Sequence, residues 1–454
     1  MSCYNQFMKI SIIGGGQVGS TIAKQLSYEG HDITLIDSDS EIIRNLKSDV
    51  DGFLTVGNGM SPKDLLRAGF DEADVVVGVS SKDEVNLLAA QWAKKMGNPV
   101  TIARVRHPEY NSNSLDLPDG LKEIDRIINP DNLTVQSIVR LVETPGANEA
   151  FDFNDGEILL RGFIVPKDAP IVGKSLGHIR KVCDMDHFLV VAIIRDDEVI
   201  IPNGDDVIKP NDNIFVLLPK DALPLFLPLI NRFVGDVNRV IISGATGVGI
   251  QLALELEKEI SQVVLIDSDI KRCEQASEVL THTQVMCGNS TQVNFLKECR
   301  VDASELFIAV SKDYEKNLIT TLLARQYVNG RIMMVTSNPD LVPILNVVGP
   351  DVLINPRLLT IGTIMETIRQ GRILSVYKMR EQMAEALEVV LPEHSPLVGK
   401  ALKTLKLPKG AIIGAVCKAD GMLIPTGETV LGAKERIVVF ATETAIEQLE
   451  RLWR

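Results

Sequence analysis

Three glycines and one carboxylate carry the clearest chemical signal in the sequence. Gly14, Gly16 and Gly19 stand in the order G-x-G-x-x-G within GGGQVG, and Asp37 follows eighteen residues after Gly19. At this spacing the first glycine permits a tight turn. The second lets backbone approach a pyrophosphate, and the third lets a helix pack closely on the preceding strand. The helix N-terminus then points unpaired N–H groups at the anion. Asp37 can accept hydrogen bonds from a ribose and repels a 2′-phosphate, so NAD(H) is favoured over NADP(H).

That chemistry requires a strand, a turn, a helix and a second strand in order. Ile10, Ile12 and Ile13 form the first apolar run, Ile22, Ala23 and Leu26 recur at helical spacing, and Ile33, Leu35 and Ile36 lead to Asp37. The alternation continues with a helix over Glu41 to Lys47, a strand over Phe53 to Val56, the turn Gly57-Asn58-Gly59 and a helix opened by Ser61-Pro62. Asp74 to Val79 is a buried strand by its valines. Ser80 and Ser81 follow it and are expected to cap a helix carrying Leu87, Leu88 and Trp92. Val100 to Ala103, ending at Arg104, and Ile124 to Ile128 complete six strands, and Asn129-Pro130 opens a helix with Val135, Ile138, Val139 and Val142 on its apolar face. Strands alternating with helices of this length imply a parallel, doubly wound α/β sheet.

After Thr144-Pro145-Gly146 the pattern changes. Strand-like runs occupy Glu157 to Val165, His187 to Arg195, Val199 to Ile201 and Asn213 to Leu218, with short helices near Ser175 to Val182 and Ala222 to Ile230. This is a small α+β domain of about 80 residues. Then the chain repeats itself. VIISGATGVGIQLALELE begins at Val240, Gly249 answers Gly19, and Asp267 answers Asp37. The turn returns as Gly288-Asn289-Ser290, Asn317 repeats Asn86, and Asn355-Pro356 repeats Asn129-Pro130. APIVGK at Ala169 becomes SPLVGK at Ser395, and IPNG at Ile201 becomes IPTG at Ile424. The expected plan is two Rossmann-like domains, 8–146 and 237–370, each followed by a small α+β domain, 147–232 and 371–454.

The copies differ where a ligand would sit. In register, Thr246 stands at the position of Gly16 and Val335 at that of Arg104. The second set, Gly244, Ala245, Thr246, Gly247, Val248, Gly249, Asp267, Gly288 and Asn289, is read as a nucleotide site of weaker or different selectivity.

Composition bounds the partners. The 454 residues are 24% charged and 45% hydrophobic with a net charge of −13, an acidic field that disfavours nucleic acid and anionic lipid. Aromatic residues make up 5%, which offers no stacking platform for single strands. Short basic groups such as Arg369 to Arg372 read as solvated surface or a contact with a membrane partner. Six cysteines, Cys3, Cys183, Cys273, Cys287, Cys299 and Cys417, show no C-x-x-C spacing and suit a reducing compartment. No stretch reaches the roughly 18 apolar residues needed to span a bilayer, so membrane association is expected to be peripheral.

The tandem arrangement resembles the TrkA family, regulatory subunits of bacterial Trk potassium uptake systems with RCK (KTN) domains. The residues that carry the resemblance are GGGQVG, LID at Leu35 to Asp37, GVSSKDE at Gly78 to Glu84, IARVR at Ile102 to Arg106, the ETPGA linker, and LPKGAIIGAV at Leu407 to Val416. The resemblance implies a cytoplasmic, non-enzymatic gating protein on the inner face of the plasma membrane. It implies a homotetrameric ring beneath a potassium-transporting subunit of TrkH/TrkG type, with NAD(H), ATP or ADP bound in the Rossmann lobes. It assigns Gly14, Gly15, Gly16, Gln17 and Val18 to the phosphates, Asp37 to the ribose, and the Gly57-Asn58 turn, Ser80, Ser81 and Arg104 to the remaining contacts. The helices after Asn129 and Asn355 are expected to cross over between subunits.

The alternative is an NAD-dependent oxidoreductase of unknown substrate. The sequence offers it little: no Tyr-x-x-x-Lys pair and no clustered thiols or H-x-x-x-H for a metal. Cys183 and His187, four apart, read as a structural or surface pair. His107 is a loop residue that could donate a proton if it faced a substrate pocket.

Overall fold

The structure of the chain, a computed structural model, describes residues 7–110, 119–182, 187–196, 198–232, 237–338, 345, 349–368, 373–379, 384–418 and 421–450. Cys3, Cys183 and the Arg369 to Arg372 group lie outside them. The first copy begins with β1 (Lys9–Ile13), α1 (Gln17–Tyr28), β2 (Asp32–Asp37), α2 (Ser40–Leu46), β3 (Gly52–Val56), α3 (Pro62–Arg67), β4 (Val75–Gly78) and α4 (Asp83–Met96). It continues with β5 (Val100–Arg104), the short α5 (Asp119–Lys122), β6 (Arg126–Ile128) and α6 (Pro130–Val142). Then come β7 (Ala147–Phe153), β8 (Ile158–Ile164), α7 (Leu176–Val182), β9 (Leu189–Arg195), β10 (Glu198–Ile200), β11 (Asn213–Pro219) and α8 (Leu223–Phe226). The second copy supplies β12 (Arg239–Ser243), α9 (Gly247–Leu256), β13 (Gln262–Asp267), α10 (Ile270–Val279), β14 (Gln284–Cys287) and α11 (Val293–Glu298). After these come β15 (Leu306–Ala309), α12 (Tyr314–Arg325), β16 (Arg331–Val335), β17 (Val352–Ile354) and α13 (Pro356–Ile368). The chain closes with β18 (Ile373–Met379), β19 (Ala384–Val390), β20 (Ala411–Lys418), β21 (Gly421–Leu423), β22 (Arg436–Thr442) and α14 (Glu443–Glu450).

Contacts divide the chain into two compact units, 1–134 with 356–368, and 135–355 with 369–454. In the first unit the six strands pair in parallel in the order β3-β2-β1-β4-β5-β6. This order reverses direction between β1 and β4, and ligands of such sheets bind at the strand C-termini of that switch point. The runs are apolar throughout because both faces of a parallel sheet are covered. Ile10, Ile12, Leu35, Val75 and Val77 lie in a core with Ile22 and Leu26 of α1. Ser61 caps α3 by accepting from the Asp64 N–H at 3.3 Å, with Pro62 in the first turn, as the Ser-Pro step implies.

The helix that completes this core comes from the other copy. Ile361, Ile364, Met365 and Ile368 of α13 are at most 4% exposed in the core that also holds Ile22 and Leu26, and Arg357 Nη2 donates to Thr21 Oγ1 of α1 at 3.2 Å. The expectation that the Asn355-Pro356 helix uses its apolar face between subunits is thereby corrected. That face is spent within the chain, on the first sheet.

The second unit repeats the parallel order, β14-β13-β12-β15-β16-β17. Here the end of α6 is held by Arg331 of β16, whose Nη1 donates to the carbonyls of Leu141 at 2.7 Å and Thr144 at 3.3 Å. Asn129 caps the start of that helix, its Oδ1 accepting from Asp131 N at 2.9 Å and Asn132 N at 3.1 Å. Each copy therefore ends its Rossmann lobe with a helix whose end or face is fixed by the other copy.

The two small domains form five-stranded antiparallel sheets, β10-β9-β11-β8-β7 and β18-β19-β22-β20-β21. Their faces share a core of Phe153, Leu160, Phe215, Leu217, Ala384, Ala386, Ala415, Val438 and Phe440. Phe153 and Phe440 meet edge to face at 6.3 Å. Tyr377 donates a short hydrogen bond to Glu149, and burial beside that carboxylate lifts its hydroxyl well above the usual tyrosine range. Replacing Ile364 by Ala should lower stability by about 2–5 kcal/mol through the cavity it leaves. Tyr28→Ala, at a position 78% exposed on α1, should change it by less than about 0.5 kcal/mol. Urea unfolding followed by circular dichroism would measure both.

Candidate nucleotide sites

The first glycine turn is built by backbone demands at two of its three glycines. Gly14 has φ +99°, and a Cβ there would lie 2.7 Å from the Ser80 backbone. A Cβ on Gly19 would lie 1.9 Å from the Gly14 carbonyl oxygen. Gly16 is different: it is exposed, and a Cβ there would meet no atom within 4 Å. The fold does not need a glycine at this point. Gly16 is the N-cap residue of α1 and forms no side-chain cap, so the first turn of α1, at exposed Gln17 and buried Val18 and Gly19, is left bare toward open space.

Asp37 has a structural duty as well as a free edge. Its Oδ2 accepts the Gly15 N–H at 2.6 Å and its Oδ1 accepts the Asp39 N–H at 2.9 Å, so the carboxylate ties the glycine turn to the start of α2. Each oxygen retains a lone pair for a ribose hydroxyl. The Gly57 N–H donates to the Asp37 carbonyl at 2.9 Å, and Asn58 shapes the next turn by accepting from Met60 N at 3.0 Å.

The expectation that Ser80 and Ser81 cap α4 is corrected. The helix starts at Asp83 with Lys82 as its N-cap residue and no side-chain cap. Ser80 Oγ lies too early in the chain and bonds the Lys82 backbone instead, accepting its N–H at 3.3 Å and donating to its carbonyl at 3.1 Å. Its own N–H is taken by Asn86 Oδ1 at 2.8 Å, while Asn86 Nδ2 donates to the carbonyls of Ser80 at 3.1 Å and Arg104 at 2.8 Å. Fully buried, Asn86 clamps the ends of β4 and β5 together. The sequence repeats this residue as Asn317 without disclosing its task; there it bonds Ser311 N at 3.0 Å, Ser311 O at 2.9 Å and Val335 O at 3.1 Å.

Arg104 ends β5 at this clamp. Its guanidinium makes no hydrogen bond or ion pair among the described residues. Burial, then Arg106, push it down to about 10 against the pull of Asp83 and Asp131. It stays charged near neutrality, a cation partly stripped of water and suited to an anion.

The second lobe keeps the turn and fills the space. Gly244 (φ +121°) and Gly249 repeat the same close approaches, to Ser311 and to the Gly244 carbonyl. Thr246 is 5% exposed, and its Oγ1 accepts the Gly249 N–H at 3.3 Å and donates to the Val310 carbonyl at 3.1 Å, capping α9 from within. Ala245 is buried, Gly247 exposed and Val248 half-buried. Asp267 holds Ala245 N at 2.8 Å and Asp269 N at 2.9 Å, as Asp37 does, but Arg272 also approaches its Oδ1 at 3.5 Å and its side chain is only 3% exposed. A Cβ on Gly288 would lie 2.2 Å from the Phe295 ring, and Asn289 Oδ1 is occupied by Thr291 N at 3.0 Å and Oγ1 at 2.9 Å. Arg272 was not singled out by the sequence because an arginine five residues past Asp267 has no motif of its own.

A cavity of about 730 Å³ lies beside the first turn rather than over it. Met60, Ser81, Lys82, Leu88, Arg106 and His107 contribute to its lining. The His107 ring stands edge-on to Tyr110 at 5.8 Å, and its backbone N–H donates to Asp83 Oδ2 at 2.9 Å. Among the described residues no cluster of three or more potential metal ligands occurs, and no helix is long and apolar enough to cross a membrane.

Two Rossmann lobes, each followed by a small antiparallel lobe, give the chain a tandem RCK-type fold. The fold is shared with the solved GsuK RCK domain (TM-score 0.61, 17% identity, covering 99% of this chain and 95% of that one). It is shared equally with a GsuK channel bound to NAD (TM-score 0.61, 17% identity, covering 99% and 79%). The TrkA-N domain family matches residues 10–130 and 240–356, and the TrkA-C domain family matches residues 160–231 and 386–453. The chain is 32% identical over 452 residues to the Trk system potassium uptake protein TrkA of Halomonas elongata, covering 98% of this chain and 99% of that protein. It is 31% identical over 458 residues to the TrkA homolog 2 of Methanosarcina mazei, covering 98% and 100%. The chain belongs to the TrkA family.

Asn86→Ala should cost about 2–4 kcal/mol, because it leaves the buried Ser80 N–H and two strand-end carbonyls without their partner. Asn86→Asp keeps the acceptor but sets an oxygen against the carbonyls of Ser80 and Arg104 at a fully buried position, and should cost at least as much as Asn86→Ala in the same chemical denaturation experiment.

Proposed function

We propose that this chain is the nucleotide-sensing regulatory subunit of a potassium uptake system, binding NAD(H) or the adenine nucleotides ATP and ADP chiefly in its first Rossmann lobe. The observation that carries the reading is the bare N-terminus of α1 at Gly16, open to 4 Å where the second lobe carries an inward-bonded threonine. Phosphate oxygens would take the N–H groups at Gly16 to Val18, that of Gly15 being held by Asp37, and the dipole of α1 adds to the attraction. Arg104 would supply the countercharge from β5. The relatives' names support a role in potassium uptake, and the NAD-bound neighbour supports a nucleotide in this fold.

Binding energy becomes regulation only if the ligand favours one arrangement of the protein over another, and couplings between sites are typically about 1–3 kcal/mol. The lobes would act without chemistry. In this reading a homotetrameric ring, docked on the cytoplasmic side of a potassium-transporting membrane subunit of TrkH/TrkG type, passes the change on. Light scattering at micromolar concentration should give an oligomer; a monomer would argue against the ring. His107 in the wall of the cavity is the observation favouring an oxidoreductase, and steady consumption of NADH, lost in His107→Ala, would establish that reading instead.

Asp37→Ala is a poor probe, since it removes the carboxylate that holds Gly15. Gly16→Thr is the better one: with free space around it, the melting temperature should hold while affinity for NADH or ADP falls at least about tenfold in calorimetric titration, as loss of one or two charge-assisted hydrogen bonds implies. Arg104→Gln should fall by a similar factor. Thr246→Gly combined with Arg272→Ala should leave the first-lobe affinity untouched and open the second site to weak binding.

A further inference from the structure

The second lobe carries three cysteines where the first has none, and two of them, Cys273 and Cys287, lie on either side of Asp267. Cys287 ends β14 directly opposite Asp267 in the parallel ladder, as Val56 ends β3 opposite Asp37. Cys273 sits on α10, which starts after the N-cap Asp269, as Ile43 sits on α2 after the N-cap Asp39. The Cys273 thiol donates to the Asp267 carbonyl oxygen at 3.5 Å, and that oxygen also accepts the Gly288 N–H at 2.8 Å. Burial matches between the copies: Cys273 is 6% and Ile43 4% exposed, whereas Cys287 and Val56 both face solvent. An apolar pair therefore satisfies the packing at these positions, and packing alone does not require two thiols. Both are free, Cys287 exposed and Cys273 buried, and the two thiols are close enough to interact.

We propose that Cys273 and Cys287 form a reversible oxidation site, in which a hydroperoxide converts the two thiols to a disulfide joining α10 to β14. The exposed Cys287 is the sulfur that meets the oxidant. Its thiolate attacks the hydroperoxide, the O–O bond breaks, and Cys287 becomes a sulfenic acid as an alcohol, or water from hydrogen peroxide, departs. Cys273 then attacks the Cys287 sulfur; the S–S bond forms, the S–O bond breaks, and hydroxide leaves to take up the Cys273 proton as water. Two thiols lose two electrons and two protons, and the peroxide gains them. Burial, the Cys287 thiol and Asp267 push Cys273 up to about 12, which keeps it an un-ionised thiol and makes its attack the slow step. A dithiol reductant restores both groups. The bridge would fasten α10 beside Asp267 and hold Arg272, the residue before Cys273, over that carboxylate.

The test uses the full chain treated with hydrogen peroxide, alkylated, digested without reductant and examined by mass spectrometry. The expected result is loss of both thiols from alkylation and one linked peptide pair, lighter by two hydrogens, that dithiothreitol separates. Amide exchange across Ile270 to Val279 should slow in the oxidised form. Cys273→Ile and Cys287→Val install the first copy's own residues and so preserve packing. The first should leave Cys287 as a sulfenic acid trapped by dimedone, and the second should leave Cys273 unreacted. The proposal is overturned if both thiols remain alkylatable after peroxide, or if Cys287 is found bridged to any cysteine other than Cys273 of its own chain.

Discussion

A carboxylate holding a backbone turn is the interaction on which each Rossmann lobe depends. Asp37 grips Gly15 and Asp39 across the ends of β1 and β2, and Asp267 grips Ala245 and Asp269 in the same way. A charge-assisted hydrogen bond of this kind is worth about 1.5–3 kcal/mol, and here it fixes where the following helix begins. Everything downstream follows from that placement. Gly14 can adopt its positive φ, Gly19 can pass against the Gly14 carbonyl, and the first turn of the helix emerges at the strand ends, where a doubly wound sheet binds its ligands.

With that frame equal in both copies, the difference between them is one of occupancy by the protein's own atoms. Among the described residues nothing lies within 4 Å of a Cβ on Gly16 in the first lobe, and Arg104 is a cation without an ion-pair partner. In the second, a hydroxyl caps α9, a guanidinium sits on Asp267, and a valine replaces the strand-end arginine. A ligand at the second site would have to displace contacts already made. The duplication has thus kept two scaffolds while leaving one of them open, and the exchanged helix α13 makes the open lobe depend on the second copy for its core.

Much of this was legible in the sequence because period and punctuation speak directly of backbone. The glycine spacing, the apolar runs and the 230-residue echo from Gly19 to Gly249 fixed the order of strands and the class of fold. The Gly16 to Thr246 exchange was readable as an asymmetry, though not that the threonine bonds inward. Other features were hidden for physical reasons. Strand β7, ANEAFDF, alternates polar and apolar residues too weakly to announce a strand. Asn86 does its work through three backbone groups distant in the chain, which no local pattern records. The destination of α13 was invisible because an apolar helix face states that it will be covered, not by which copy.

The central claim is that the first lobe is the open one, and hydrogen exchange with mass spectrometry tests it most directly. Amides around Gly15 to Gly19 and Gly244 to Gly249 would be followed in the full chain with and without saturating NADH or ADP. The account predicts slowed exchange at the first turn with little change at the second. Equal protection at both turns, or protection confined to the second, would contradict it.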